Sequence, residues 1–460
     1  MVGEQLYSVG LDVGTTSTQM ILSRLTVENK ASGFAVPEMS ITDRQILYKS
    51  PVHFTPLQAE SLVDAQRLRE LILAEYAAAG ITPEQVDTGA VIITGETSRK
   101  ENAAQVLKML SGFAGEFVVA TAGPDLESVL AAKGAGAVAY SAQTGKTVLH
   151  IDIGGGTSNL ALIRSGQVVQ TGCLNVGGRL IKLDSRGVIT YLSPVLQDLC
   201  QMSIGDTPTK EQLFSVAKML CRGLEMAAGR IPKEKLLGQL LTREVQHSWN
   251  IPQEPVTVSF SGGVADCIDS DQPDIAFGDI GVLLGRAIRE SSLCHGDYRL
   301  GTETIRATVI GAGCHSTQLS GSTVYCRQVT LPRKNLPVVN LTAREQTDSQ
   351  AIARHLETSE SRETVLAMPG FEAPDYAQVR RLAEAICRGV GERPVYVCLQ
   401  SDMAKALGQC LGLLLPGDRP CICLDRLVFG EESYLDIGAP VGPCFPVVIK
   451  TLVLSDNAVK

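Results

Sequence analysis

Asp12 and Asp152 each close an apolar run and open a glycine-rich turn. Gly10-Leu-Asp-Val-Gly-Thr-Thr-Ser-Thr18 lies over His150-Ile-Asp-Ile-Gly-Gly-Gly-Thr-Ser158, with the aspartates 152 − 12 = 140 residues apart. Such turns suit anion chemistry. At Gly14, Thr15, Thr16 and Ser17, and again at Gly154, Gly155, Gly156 and Thr157, side chains are absent or small. Backbone N–H groups can therefore close around phosphate oxygens as a nest, with the hydroxyls adding donors. A nucleoside triphosphate also needs a divalent ion to neutralise its charge and an ordered water for hydrolysis. Asp12 and Asp152 suit Mg2+, which keeps several of its waters and tolerates carboxylates at that remove. A single Asp-x-Gly turn is most often a solvated β-turn; two matched turns favour a nucleoside triphosphate with Mg2+.

A third piece, Ser259-Phe-Ser-Gly-Gly-Val264, reads as a strand running into a Gly-Gly turn, where a nucleoside could lie against bare backbone at Gly262 and Gly263. Two stretches rich in small residues, Glu127–Ala137 and Asp279–Arg286, read as helices able to pack closely. Two look-alikes fail. Gly145-Lys-Thr147 lacks the earlier glycine of a Walker A loop, since Tyr140 stands there, and Gly154-Gly-Gly156 has Asn159 where a dinucleotide fingerprint needs its last glycine.

The elements that must hold these turns alternate between strand and helix, which defines an α/β class. Each aspartate turn joins two apolar runs and reads as a β-hairpin. Helical spacing covers Leu57–Ala79, Asn102–Leu110 and Phe214–Ala228, and Ser98–Glu101 fits a helix-capping box. Strands are expected at Ala90–Thr94, Phe117–Ala120 and Val256–Phe260, with a further hairpin-like turn at Val176-Gly-Gly178. Arg306–Cys314 reads as a strand entering a glycine turn; beyond it come helices around Leu382 and over Met403–Leu415, and strands Val395–Leu399, Cys421–Leu424 and Val447–Leu454. At 460 residues the chain fits about three domains. They are expected at 1–145, 146–295 and 296–460, the first two related by the repeat.

Charge and cysteine usage narrow the partners. With 41 basic and 49 acidic side chains the net charge is −8, and no long Lys/Arg run exists, so nucleic acid is not the expected partner. No stretch has the length of a membrane span and no leader is expected at the N-terminus. Thirteen cysteines, an odd number, fit reduced thiols in the cytosol.

The five pieces, in this order, resemble the actin, Hsp70 and sugar-kinase superfamily of ATPases, in which they are the phosphate-1 (Gly10–Ser17), connect-1 (Glu127–Ala137), phosphate-2 (Ile151–Ser158), adenosine (Val258–Val264) and connect-2 (Phe277–Arg286) motifs. The resemblance implies two ribonuclease H-like lobes around a nucleotide cleft, followed here by a C-terminal α/β domain. It also implies that Asp12 and Asp152 hold Mg2+ through water, that Glu127 orients the attacking water, and that Gly262 and Gly263 face the nucleoside. Longer stretches, among them Thr94–Asn102 and Arg306–Tyr325, are similar to a family of reactivating factors for ethanolamine ammonia-lyase. That similarity implies a chaperone-like ATPase whose partner is the lyase, which exchanges damaged for intact cobalamin and has no durable cobalamin site of its own. Association with a bacterial microcompartment is an open expectation. A small-molecule kinase, which Gln19 disfavours because many kinases carry a cation there, and a filament-forming ATPase remain alternatives.

Overall fold

The hairpin at Asp12 is the centre of the first sheet. In the computed structural model β1 (Glu4–Val13) pairs antiparallel with β2 (Ser17–Asn29), and β2 with β3 (Met39–Lys49). β1 also pairs in parallel with β4 (Thr88–Ile93), and β4 with β5 (Val119–Thr121), giving the order β3-β2-β1-β4-β5. The structure describes residues 4–14, 17–30, 39–59, 62–93, 106, 119–121, 124–242, 249–315, 317–321, 323–359, 361–429 and 433–451. The expected helix at Asn102–Leu110 and the capping box at Ser98–Glu101 lie outside these. Helix α1 (Ala65–Ala78) begins at Asp64, whose carboxylate accepts the Arg67 N–H at 3.1 Å, as a helix cap requires. Its Leu68, Ile72 and Tyr76 pack on Val9, Leu11 and Val13.

The second sheet repeats the first. β6 (Val148–Ile153), β7 (Ser158–Arg164), β8 (Gln167–Leu174), β9 (Thr257–Ser261) and β10 (Tyr298–Leu300) run in the order β8-β7-β6-β9-β10. Strand directions match as well: two antiparallel pairs on one side of the central strand, two parallel on the other. Even the register is preserved, since Asp12 faces Gln19 and Val13 faces Thr18, while Asp152 faces Asn159 and Ile153 faces Ser158. β6 is buried on both faces, as the central strand of a covered parallel pair must be. Helices α2 (Pro124–Gly134) and α3 (Ala137–Thr144) pack against this sheet. α4 (Lys210–Ala227) and α5 (Gly281–Arg289) pack on each other in its core.

Arg306–Cys314 is not a strand: Ala307–His315 is helix α6. Val309 and Ile310 carry β-propensity, but Ala307, Gly311 and Ala312 let this segment press against α2, and that packing decides the conformation.

An eight-stranded sheet follows. β11 (Thr317–Leu319), β12 (Tyr325–Arg327), β13 (Arg333–Asn340), β14 (Val365–Met368), β15 (Val395–Leu399), β16 (Cys421–Leu424), β17 (Ser433–Ile437) and β18 (Pro446–Thr451) take the order β11-β18-β17-β13-β14-β15-β16-β12. β13 to β16 are parallel and joined through α7 (Ser349–Glu357), α8 (Tyr376–Val390) and α9 (Ala404–Leu414), whose apolar faces form one core. The described residues fall into two compact units: those up to Ile93 with β5 and everything from Thr317 onward, and those from Pro124 to His315. Within the former, Leu319 and Val441 pack with Leu6, Leu25 and Val27, and the Thr88 and Thr317 hydroxyls meet at 2.7 Å.

At the end of the parallel strands the Thr323 hydroxyl contacts Asp402 Oδ1 at 2.6 Å and Asp425 Oδ2. One hydroxyl proton cannot serve two carboxylates, so a proton belongs on Asp425, which is fully buried. Burial pushes its carboxyl up to about 6, whereas the Thr323 hydroxyl and Arg426 hold Asp402 below its ordinary range. A carboxyl raised in the folded state binds a proton that the unfolded chain gives up, so its contribution is full below about pH 4 and is lost as pH rises through about 6. Asp425→Asn should therefore stabilise the protein at pH 8 by on the order of 2 kcal/mol, read as a higher Tm, and match wild type near pH 4. Thermal melts at the two pH values decide it, and an unchanged or lower Tm at pH 8 contradicts the assignment.

Candidate functional site

The two turns share their closing hydrogen bond. Gly14 N–H donates to the Ser17 carbonyl at 2.8 Å and Gly154 N–H to the Thr157 carbonyl at 2.9 Å. Thr15 and Thr16 lie outside the described residues. In the first turn, Thr55 Oγ1 donates to the Gly14 carbonyl at 2.7 Å and meets Thr18 Oγ1 at 3.0 Å, so the loop before α1 pins the hairpin end. Asp12, half-buried at the end of β1, faces the buried amide side chain of Gln19.

The second turn is built more tightly. A Cβ on Gly177 would overlap the Gly155 carbonyl, and the Gly178 and Arg179 N–H groups donate to the Gly154 and Gly155 carbonyls at 3.0 and 2.6 Å. The Val176–Gly178 turn thus supports the Gly154–Thr157 turn from behind. Gly156 has open space where a Cβ would stand, and Gly154 has nothing nearer than 3.6 Å. Gly262 sits at φ +86°, and a Cβ there would run into the backbone of Ile153, so only glycine lets the Ser-Gly-Gly turn lie on the end of β6. Gly263 is under no such constraint, its nearest neighbour being Ile305 Cδ1 at 3.8 Å.

Asp152 is almost fully buried. It accepts a hydrogen bond from Ser261 Oγ, and burial lifts its carboxyl to about 6, against the lowering effect of that bond. Glu127, in the first turn of α2, comes to the same corner: its Oε2 accepts from Asn159 Nδ2 at 2.7 Å, and Asn159 is the residue facing Asp152 across the hairpin. Asn159 is buried, and its Oδ1 has no hydrogen-bond partner among the described residues. An orphaned carbonyl oxygen beside a buried carboxylate, at the mouth of a glycine turn, is a hard-oxygen environment of the kind Mg2+ with its waters requires.

Asp12, Gly14 and Ser17 are thus grouped on one sheet, and Glu127, Asp152, Gly154, Gly155, Gly156, Thr157, Gly262 and Gly263 on the other. The partner of α2 is not α5, which packs on α4. It is α6: a Cβ on Gly134 would overlap the Ala307 carbonyl, and one on Gly311 the Leu130 carbonyl. Sequence reasoning also passed over Arg179. Its Cδ lies 3.3 Å from where a Gly155 Cβ would be, and its Nε meets buried Asp279 at 3.4 Å. Burial raises the Asp279 carboxyl, while the Gly281 N–H and Arg179 pull it down. A cation immediately after the Gly177-Gly178 pair was the available signal.

Two sheets of one topology and register, each carrying an aspartate into a glycine turn, define the class: the actin/Hsp70-like, ribonuclease H-like ATPase fold, with an added α/β domain. The chain itself belongs to the family of ethanolamine utilisation protein EutA, whose sequence profile matches residues 4–455. It is 39% identical over 467 residues to the ethanolamine ammonia-lyase reactivase EutA of Salmonella typhimurium strain LT2, covering 97% of this chain and 98% of that protein. It is 38% identical over 465 residues to the protein of the same name from Escherichia coli K12, with the same coverage. Among solved structures, the Aquifex aeolicus PPX-GPPA enzyme aligns at 12% identity and TM-score 0.42 over 67% of this chain and 99% of that one. The ethanolamine utilization protein EutJ of Carboxydothermus hydrogenoformans aligns at 17% and 0.32 over 67% and 89%. Among the described residues no helix is long and apolar enough to cross a membrane.

Proposed function

We propose that this chain is an ATP-dependent reactivating factor for adenosylcobalamin-dependent ethanolamine ammonia-lyase, promoting release of damaged cobalamin so that the intact coenzyme can bind. The observation that carries this reading is identity of 38–39% along 97% of the chain to proteins named as reactivases of that lyase. In this reading the sheet β1–β5 and the sheet β6–β10 are the ATPase lobes and the eight-stranded sheet is the added domain, working in the cytosol; the boundaries expected at 145 and 295 shift, because α2 and α3 pack on the second sheet and β10 pairs within it.

ATP supplies the free energy, and Mg2+ neutralises phosphate charge. Asp12 and Asp152 would hold the cation through its waters, and backbone N–H groups of Thr15 to Ser17 and Gly155 to Thr157 would bind phosphate oxygens, those of Gly14 and Gly154 closing the turns. Glu127, anchored on Asn159, would orient the attacking water, and Gly262 and Gly263 would face the nucleoside. Gly262 supports the fit because its bare α-carbon lets the nucleoside-side turn close onto the strand that carries Asp152. The test uses purified lyase inactivated with cyanocobalamin bound: this protein should release the cobalamin only with both ATP and Mg2+. Release without nucleotide, or none with it, overturns the proposal.

A further inference from the structure

Four buried side chains on one face of the second sheet form a hydrogen-bonded row that ends on Asp152. Residues two apart on a strand share a face. His150 and Asp152 on β6 lie beside Ser259 and Ser261 on β9, in register with them. His150 and Ser261 are fully buried and Ser259 nearly so. His150 Nδ1 meets Ser259 Oγ at 3.2 Å, Nε2 meets Ser261 Oγ at 2.9 Å, and Ser261 Oγ reaches Asp152 Oδ1. On the other flank His150 faces Ala161, whose small side chain leaves room for the ring.

Proton counting orders the row. A serine hydroxyl has one proton, and Ser261 gives it to Asp152. Its contact with His150 must then be a donation from the ring, so Nε2 carries the imidazole proton, Nδ1 is bare, and Ser259 donates to Nδ1. The chain runs one way, Ser259 to His150 to Ser261 to Asp152, and each link polarises the next. The first sheet has nothing comparable: Gly10 stands in the position of His150, and its parallel neighbours are Ala90 and, beside Asp12, Ile92. The duplication therefore carries this row in one copy alone.

We infer that His150 is a positioning residue for the Mg2+–ATP site. By locking the Ser261 hydroxyl toward Oδ1, it fixes the rotamer of Asp152 and leaves Oδ2, which makes no hydrogen bond among the described residues, for the waters of the cation. It also ties the strand of the Ser-Gly-Gly turn to the aspartate, so the nucleoside and metal ends share one rigid row. The inference rests on the nucleotide reading proposed above.

Two measurements on the full-length protein test it. In long-range 1H–15N spectra of 15N-histidine-labelled protein, with the signal assigned through its loss in His150→Gln, His150 should show the neutral Nε2–H pattern at pH 7.5 without any nucleotide. An Nδ1–H or doubly protonated ring overturns the ordering. In ATP turnover, His150→Leu and Ser261→Ala should each raise the Mg2+ concentration for half-maximal rate about tenfold or more, with a smaller change in kcat, as loss of support behind a metal ligand does. His150→Gln, which keeps a donor toward Ser261, should recover most of that loss. If His150→Leu does not fold, Ser261→Ala carries the comparison; folded variants with wild-type Mg2+ dependence overturn the positioning role. A wild-type protein that neither binds nor hydrolyses ATP defeats the nucleotide reading instead, and the tautomer spectrum still decides the ordered row.

Discussion

Asp152→Asn should lower the proposed Mg2+-dependent ATP turnover by about a hundredfold or more while the folded protein stays as stable as wild type, or becomes more so. The substitution keeps shape and volume and removes one charge, at a place where one fixed charge beside a cation is worth roughly two to three orders of magnitude in rate. Stability moves the other way for a reason visible in the structure. The carboxyl is buried and raised to about 6, so above that pH the folded state carries an ionised group it disfavours, and the cost relative to the unfolded chain grows as pH rises from about 4 through 6. A neutral amide removes that cost, and the Ser261 hydroxyl can still donate to its oxygen. Turnover against Mg2+ and a nucleotide-free melt at pH 8 measure the two effects on one sample. Wild-type turnover in the variant removes Asp152 from the site. A large drop in Tm would mean that the lost activity reports damage to the fold.

The hairpins were legible because their signal lies in residue type: aspartate before glycine, repeated at a fixed distance, leaves few conformations for the backbone, and the repeat extends to topology and register. Strands Val395–Leu399 and Cys421–Leu424 were equally plain, being short apolar runs with both faces covered. Where neighbours distant in sequence decide, the reading failed. Leu57–Ala79 has helical spacing throughout, yet the helix starts at Ala65, and Leu57–Ala59 and Leu62–Val63 pair as short strands before the Asp64 cap. Arg306–Cys314 has the composition of a strand and becomes a helix through its contact with α2. His150 is invisible for a related reason: one histidine in an apolar strand normally reads as core. Only the parallel register with β9 reveals the serines on either side of it.

That same α2–α6 contact gives the sharpest test of packing. Gly134→Ala should destabilise the protein by on the order of 3 kcal/mol, about 10 °C in Tm. The added methyl would land on the Ala307 carbonyl and within 2.8 Å of Gly311 N, and backbone atoms cannot rotate aside as the end of a side chain can. Gly238, inside the helix Lys235–Leu240, has nothing within 4 Å of a built Cβ. There the same change should stabilise by about 0.5–1 kcal/mol, because alanine is the better helix former. Opposite signs from one chemical substitution separate packing from propensity; two losses, or two gains, would refute the close approach of the helices. The consequence reaches the site, because α2 carries Glu127 in its first turn. Pushing α2 off α6 draws that carboxylate away from Asn159, so Gly134→Ala should lose ATP turnover even at temperatures where it remains folded. Small residues on these two helices thus set the distance between Glu127 and Asn159.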